Sequence, residues 1–234
     1  MLITAASNKP ARLITLSAII GFSMLLCASA FAKEKLPEVS KDGLHLVKGT
    51  KAAVVYAKPG ASLDGYTEVM LVDCFVAFKK NWEHDYNLNA VGLEGRVSDK
   101  DAEKIKTELA AEFKTVFADE LTKKGHTVVD KEGDGVLLVR PALINVDVYA
   151  PDVSNRMGRT LIRSAGEMTL YMELYDSATN SILARVIDPQ ADDGAFAKEA
   201  NRVTNKAAAD RILRHWADML ARHLGEVKEK DSSS

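Results

Sequence analysis

The groups in this 234-residue chain equipped to act on another molecule are five histidines, 33 carboxylates and one tight set of arginines. His215 and His223 stand eight apart in a helical pattern, about 80° apart around the axis and more than two turns along it. Two imidazoles so placed cannot meet at one metal ion unaided. His84, between Glu83 and Asp85 and followed by Tyr86, has ligand types for neighbours without a spacing that makes them converge. His45 and His126 complete the set. Asp147, Asp152 and Asp188 fall at the ends of strand-like runs. Paired carboxylates do acid–base work when a cleft holds them about 5–9 Å apart, yet aspartates at strand ends are also ordinary turn formers. The arginines are the sharper signal. Arg156, Arg159 and Arg163 lie within eight residues, beside Asn155 and Gly158. Their planar guanidinium groups suit bidentate recognition of an anion, so Asp152, Arg156, Arg159 and Arg163 form the candidate partner-binding loop. No Gly-rich phosphate loop, HExxH, GxSxG or CxxC occurs after residue 32. No catalytic, cofactor-binding or metal-binding residue is therefore assigned, no cofactor is expected, and the balance leans away from an enzyme.

Composition narrows the classes further. The chain is 47% hydrophobic and 27% charged, within the globular range, which excludes disordered, collagen-like and disulfide-rich chains. With 31 basic and 33 acidic residues the formal charge is -2. Nucleic-acid affinity is mostly phosphate neutralisation by clustered Lys and Arg, so a nucleic-acid partner is not expected.

The first 32 residues read as an address. Lys9 and Arg12 precede the uncharged apolar run 13–26, which at 14 residues is too short for a membrane span of about 20. Small-x-small cleavage patterns end at Ala30 and Ala32, and a cut after Ala32 leaves a charged new N-terminus. Cys27 offers lipidation as the alternative, but a small residue normally precedes such a cysteine and here Leu26 does. Cleavage after Ala32 leaves 202 residues, a net charge of -4 and a single cysteine, Cys74, expected as a buried strand thiol. The expected organisation is a signal peptide over 1–32, one domain over 33–225 and a disordered tail over 226–234.

The elements that must position these groups follow from periodicity. Residues 52–57 form a brief β run closed by Pro59-Gly60, and 67–78 is apolar on both faces, as a central strand would be. An irregular polar connection over 79–97 follows. Ser98 and Asp101 open a helix whose stripe runs through Ala102, Ile105, Leu109, Phe113, Val116, Phe117 and Leu121, and Gly125 stops it. A strand resumes after Gly125. A long strand covers 136–149, with Ala142, Ile144, Val146 and Val148 on one face and Asn145, Asp147 and Tyr149 on the other. Pro141 within it predicts a bulge or an edge position. Alternation over 168–175, a turn at 176–181 and a return over 182–187 make a hairpin, and Ile212, Leu213, Trp216, Leu220 and Leu224 mark a last helix over 205–224. The predicted fold is α+β, a two-layer sandwich with one mixed or antiparallel sheet of about five strands and two amphipathic helices on one face.

Several of these stretches have a familiar pattern. Tyr56, Pro59-Gly60, Leu63 and Gly65-Tyr66, then Asp134 through Pro141, then Ala150-Pro-Asp152, resemble the bacterial domain-of-unknown-function family 3313. So do the hairpin Gly166-Glu-Met-Thr-Leu, Glu173, Asp176, Arg185 and Asp188, and the late Trp216-Ala217. The resemblance covers 42–225. It implies an envelope protein of Gram-negative bacteria, often a lipoprotein, with no activity assigned. Leu26 departs from the lipoprotein pattern.

The expectation is a periplasmic, non-enzymatic binding or assembly module whose partner is an envelope protein or cell-wall component, met through the open sheet face or the arginine loop. Membrane association is expected only with lipidation at Cys27, which would make it an outer-membrane lipoprotein. The alternative is a periplasmic hydrolase of unrecognised type using Asp147, Asp152 or His84.

Overall fold

The structure, a computed structural model, describes residues 36–63, 65–90, 92, 95–149, 151, 161–162, 165–192, 198–199 and 202–231. The chain divides after Leu36, and the fold below is that of the unit Pro37–Ser234. In chain order its elements are β1 (His45–Val47), β2 (Val54–Ala57), β3 (Glu68–Leu71), β4 (Phe75–Phe78), α1 (Trp82–Asn89), α2 (Asp99–Lys123) and β5 (Thr127–Val129). There follow β6 (Val136–Val148), β7 (Leu161–Ile162), β8 (Gly166–Asp176), β9 (Ser181–Ala191), β10 (Lys198–Glu199) and α3 (Arg202–Asp231).

Eight strands make one mixed sheet in the order β1-β2-β9-β8-β6-β3-β5, with β4 also on β6, and β7 pairs with β10 separately. Contacts of β3 and β4 with β6, and of β3 with β5, are parallel, while the other ladders of this sheet are antiparallel. The α+β class stands, but the sheet has eight strands where about five were expected. Part of the difference is one break: 67–78 is two strands, both paired with β6, separated by the exposed Asp73. The rest is short pieces such as β1, too brief to show alternation.

The helix of the capping box forms as its sequence dictates. Ser98 accepts from the Asp101 amide and the Asp101 side chain accepts from the Ser98 amide, so two helix-end donors are satisfied reciprocally. Phe113, Phe117 and Leu121 of α2 and Leu213, Trp216 and Leu220 of α3 are buried against Val139 and Leu143 of β6 and Leu170 and Met172 of β8. Each such side chain contributes about 1.5–3 kcal/mol by leaving water. A third helix, α1, occupies the connection expected to be irregular. It has no apolar stripe and is held chiefly by Trp82, which stacks on Phe78 at 3.9 Å and whose indole N–H donates to the Val148 carbonyl at 3.1 Å, and by Asn87, whose side-chain amide donates to the Val97 carbonyl and accepts from the Val97 amide. α3 begins earlier than expected and continues to Asp231, into the predicted tail.

Two strand readings need correction. The β6–β8 register shifts between Ile144 and Asp147, and Asn145 takes φ 51°, a left-handed conformation. The extra residue of this bulge reverses the alternation, so Val146 joins the core beside Leu143 instead of sharing a face with Ala142 and Ile144. Asp188 is not at a strand end. It lies within β9, 3% exposed, accepting from the Trp216 indole, the Ala53 amide and the Gln190 amide, each at 2.8 Å. Its role is to answer buried donors. Pro141 behaves as an edge residue: it falls between Val139, the last residue of β6 paired with β3, and Ala142, the first paired with β4.

Candidate functional site

α2 and α3 run side by side in the same direction. Glu112 pairs with Lys206, Glu120 with Arg214 (2.7 Å) and Asp218 with Lys124 (3.3 Å), each pair separated by 94 residues. In that register Arg202, the first residue of α3, stands opposite Glu108. The first nine residues of α2, about 14 Å of helix, therefore have no α3 residue beside them. Beneath this overhang lie the ends of β6 and β8, where Val148 pairs with Gly166. Among the described residues the helix layer is one helix short over that end of the sheet, and a cavity of about 370 Å³ lies there.

Its walls are apolar. Ile105 and Leu109 come from α2, Val146 and Met168 from the sheet, and Ala208, Ala209 and Ile212 from α3. Small residues keep the space open: Ala208 and Ala209 belong to the run 207–209, and Ala165 and Gly166 line the end. Gly166 is obligatory there. Its φ is +153°, and a Cβ would stand 2.1 Å from the Asp147 carbonyl oxygen. The mouth is pinned by Asp192, buried at 7%, which pairs with Arg211 and accepts from the Ala165 amide at 3.3 Å. The Asp192 amide in turn donates to the Gly166 carbonyl at 2.9 Å.

The rim is charged. Asp101, Lys104, Glu108, Glu112, Asp147, Glu167 and Lys206 surround the apolar floor. Asp147 is bound by Lys79 at 2.9 Å, with Glu167 3.6 Å from the same ammonium. The carboxyl of Glu112 is pushed above its usual range by the neighbouring Asp210 and by burial, against the pull of Lys206. Among the described residues no histidine, cysteine or serine lines the cavity. Chemically the lining offers apolar surface: a dry cavity of about 150 Å³ takes one benzene, so this one has room for about two rings.

Of the described residues singled out in the sequence as candidate site groups, the cavity gathers Asp147 alone. Asp188 is a core acceptor elsewhere, and His45, His84, His215 and His223 are exposed on β1, α1 and α3. His126 is buried, its Nε2 3.3 Å from the Ala221 carbonyl. Cys74 is buried, and burial pushes its thiol up to about 12. Asp152, Arg156, Arg159 and Arg163, together with Cys27, Ala30 and Ala32, lie outside the described residues. Pro151 and Ala165, which bracket the arginine segment, both line the cavity. Among the described residues no group of three His, Cys, Asp or Glu gathers as a metal set, and no helix is long and apolar enough to cross a membrane. Sequence reading missed Gly166, Ala208 and Ala209 as site residues. Their only signals are an alanine run and a glycine opening a strand.

Residues 38–220 match the model of the family described as Protein of unknown function (DUF3313). No curated protein matches the chain. Among solved structures, the PelC dodecamer from Paraburkholderia phytofirmans is similar at 9% identity and a TM-score of 0.35, covering 70% of this chain and 96% of that one. A minor lipoprotein from Acinetobacter baumannii is similar at 9% identity and 0.34, covering 70% and 95%. A DUF330 protein from Xanthomonas campestris is similar at 13% identity and 0.41, covering 76% and 94%.

Proposed function

We propose that this chain, which belongs to the DUF3313 family of proteins of unknown function, is an exported, non-enzymatic binding module of the bacterial envelope that holds an apolar group between its two long helices. The observation that carries this reading is the cavity of about 370 Å³, apolar in its floor and charged only at its rim. An apolar group there would be recognised by area and shape, with the rim excluding mismatched polar partners. Pro151 and Ala165, on either side of the arginine segment predicted to meet an envelope partner, both line this cavity. Lipidation at Cys27 remains the alternative route to the envelope.

The test uses 6-propionyl-2-(dimethylamino)naphthalene, a neutral two-ring probe that brightens on leaving water. Saturable one-to-one binding is expected. Ala209→Trp, which fills the cavity, weakens it about ten-fold or more, while Ala207→Trp on the exposed side of α3 leaves it unchanged. Equal binding by Ala209→Trp and the unsubstituted protein would remove this reading. The hydrolase reading retains one observation, that Asp147 lines the cavity. It requires Asp147→Asn to abolish a turnover that the unsubstituted protein displays.

A further inference from the structure

The sheet face turned away from α2 and α3 carries a second site, independent of the cavity. We infer that it docks an extended protein segment presenting a carboxylate two residues from an apolar side chain, with Arg140 and Phe75 as the anchors. Strand register places Phe75, Ala142, Tyr171, Ile187 and Val54 in one row across five strands. None of the five is fully buried, and Phe75 is 64% exposed. Between Phe75 and Tyr171 the row has only the methyl of Ala142.

The neighbouring row supplies the charge. It runs from Arg140 through Glu173 and Arg185 to Tyr56. Glu173 is fully engaged: it accepts from Tyr171 and Tyr175, each at 2.8 Å, and from Arg185. Arg185 also pairs with Asp42. Arg140 differs. It is exposed, its guanidinium lies 4.6 Å over the Tyr175 ring, and among the described residues no carboxylate pairs with it. Stacking occupies the face of the guanidinium and one hydrogen bond joins it to the Tyr175 hydroxyl, which leaves its remaining N–H groups for an acceptor such as a carboxylate.

The geometry selects the occupant. Arg140 and Ala142 are two residues apart on one strand face, about 7 Å, and Phe75 is the neighbour of Ala142. An extended segment with an apolar residue and a carboxylate at positions i and i+2 has the same spacing. Among the described acids of this face, Asp42 and Glu173 are engaged by Arg185 and Glu167 lies against Lys79, so a second copy would have to meet Arg140 with Glu68 of β3. A single cation is too few for a nucleic acid, whose affinity needs many phosphate contacts. Arginine and aromatic residues grouped this way are what binding hot spots are made of.

The probe is a labelled heptapeptide, acetyl-Thr-Phe-Thr-Glu-Thr-Phe-Thr amide, compared with the same peptide carrying Gln for Glu. Amide NMR shifts are expected at residues 75, 140, 142 and 171, with the Glu peptide bound about five-fold tighter than the Gln peptide. Arg140→Gln abolishes that preference, and Phe75→Ala weakens both peptides about five-fold. Both substitutions are at exposed positions, and far-UV circular dichroism checks that the fold is kept. Equal affinity for the two peptides, shifts confined to another surface, or no binding would overturn the assignment. So would dimerisation of the free protein lost in Phe75→Ala, since the occupant would then be a second copy.

Discussion

Gly166 shows how much one backbone position governs at the site. It opens β8, lines the cavity and receives a hydrogen bond from Asp192, all in a conformation where a Cβ would meet the Asp147 carbonyl at 2.1 Å. Gly125, at the end of α2, also has positive φ (+89°) but has nothing within 4 Å of its missing Cβ. The two therefore separate backbone strain from steric clash. Gly125→Ala is expected to cost about 1 kcal/mol, the conformational penalty alone. Gly166→Ala is expected to cost about 3 kcal/mol or more, because the strand end must move as well. Urea unfolding of the two variants checks this, and equal losses would show that the clash relaxes without effect. Conformation, not chemistry, explains why Gly166 was legible only as part of a family pattern: φ cannot be read from residue type.

At the scale of elements, the segment before β2 is strapped to the open sheet face by charge. The carboxyl of Asp42 is held down to about 2, chiefly by its hydrogen bond from Arg185 and then by Ser40. For Glu173, burial pushes the carboxyl up, but hydrogen bonds from Tyr175, Tyr171 and Arg185 outweigh it and leave it below the usual range. Both values are lower in the folded state than in the unfolded chain. Their stabilisation is thus complete above the ordinary carboxylate value of about 4 and is lost as pH falls towards about 2. The urea midpoint should drop across that window, and Arg185→Met should make the drop shallower. An unchanged slope in Arg185→Met would put the acid sensitivity in other carboxylates. The α2–α3 ladder is different in kind. Its pairs are half exposed, so each is worth little, and the buried faces of both helices hold the layer together. What the ladder does settle is register, and with it the overhang that makes the cavity.

The whole molecule has an apolar cavity on one side of its sheet and an aromatic, arginine-bearing face on the other. Which partners either surface could meet depends on the compartment. Export with a cut after Ala32 leaves a chain of 202 residues beginning at Lys33. Intact mass measured separately on soluble periplasmic and membrane fractions of the host distinguishes the routes. A soluble chain starting at Lys33 is expected. A membrane-bound chain starting at an acylated Cys27 would overturn the cleavage assignment and put both surfaces at a bilayer.

Local rules were enough for elements whose signals are local. The capping box at Ser98, the stripe from Ala102 to Leu121 and the alternation around Leu170 and Met172 each declare helix or strand through spacing alone, and the structure has them. Where spacing is interrupted, as at Asp73 or Asn145, or absent, as in α1, sequence reading merged strands, assigned Val146 to the wrong face and missed a helix. The α+β class with two long helices on one sheet face was therefore determined by the sequence. The cavity was decided only in three dimensions, because it arises from a constant 94-residue offset between two helices and from the ends of two strands they fail to cover. A void belongs to no residue, and the contacts that bound it join positions from Asp101 to Ile212.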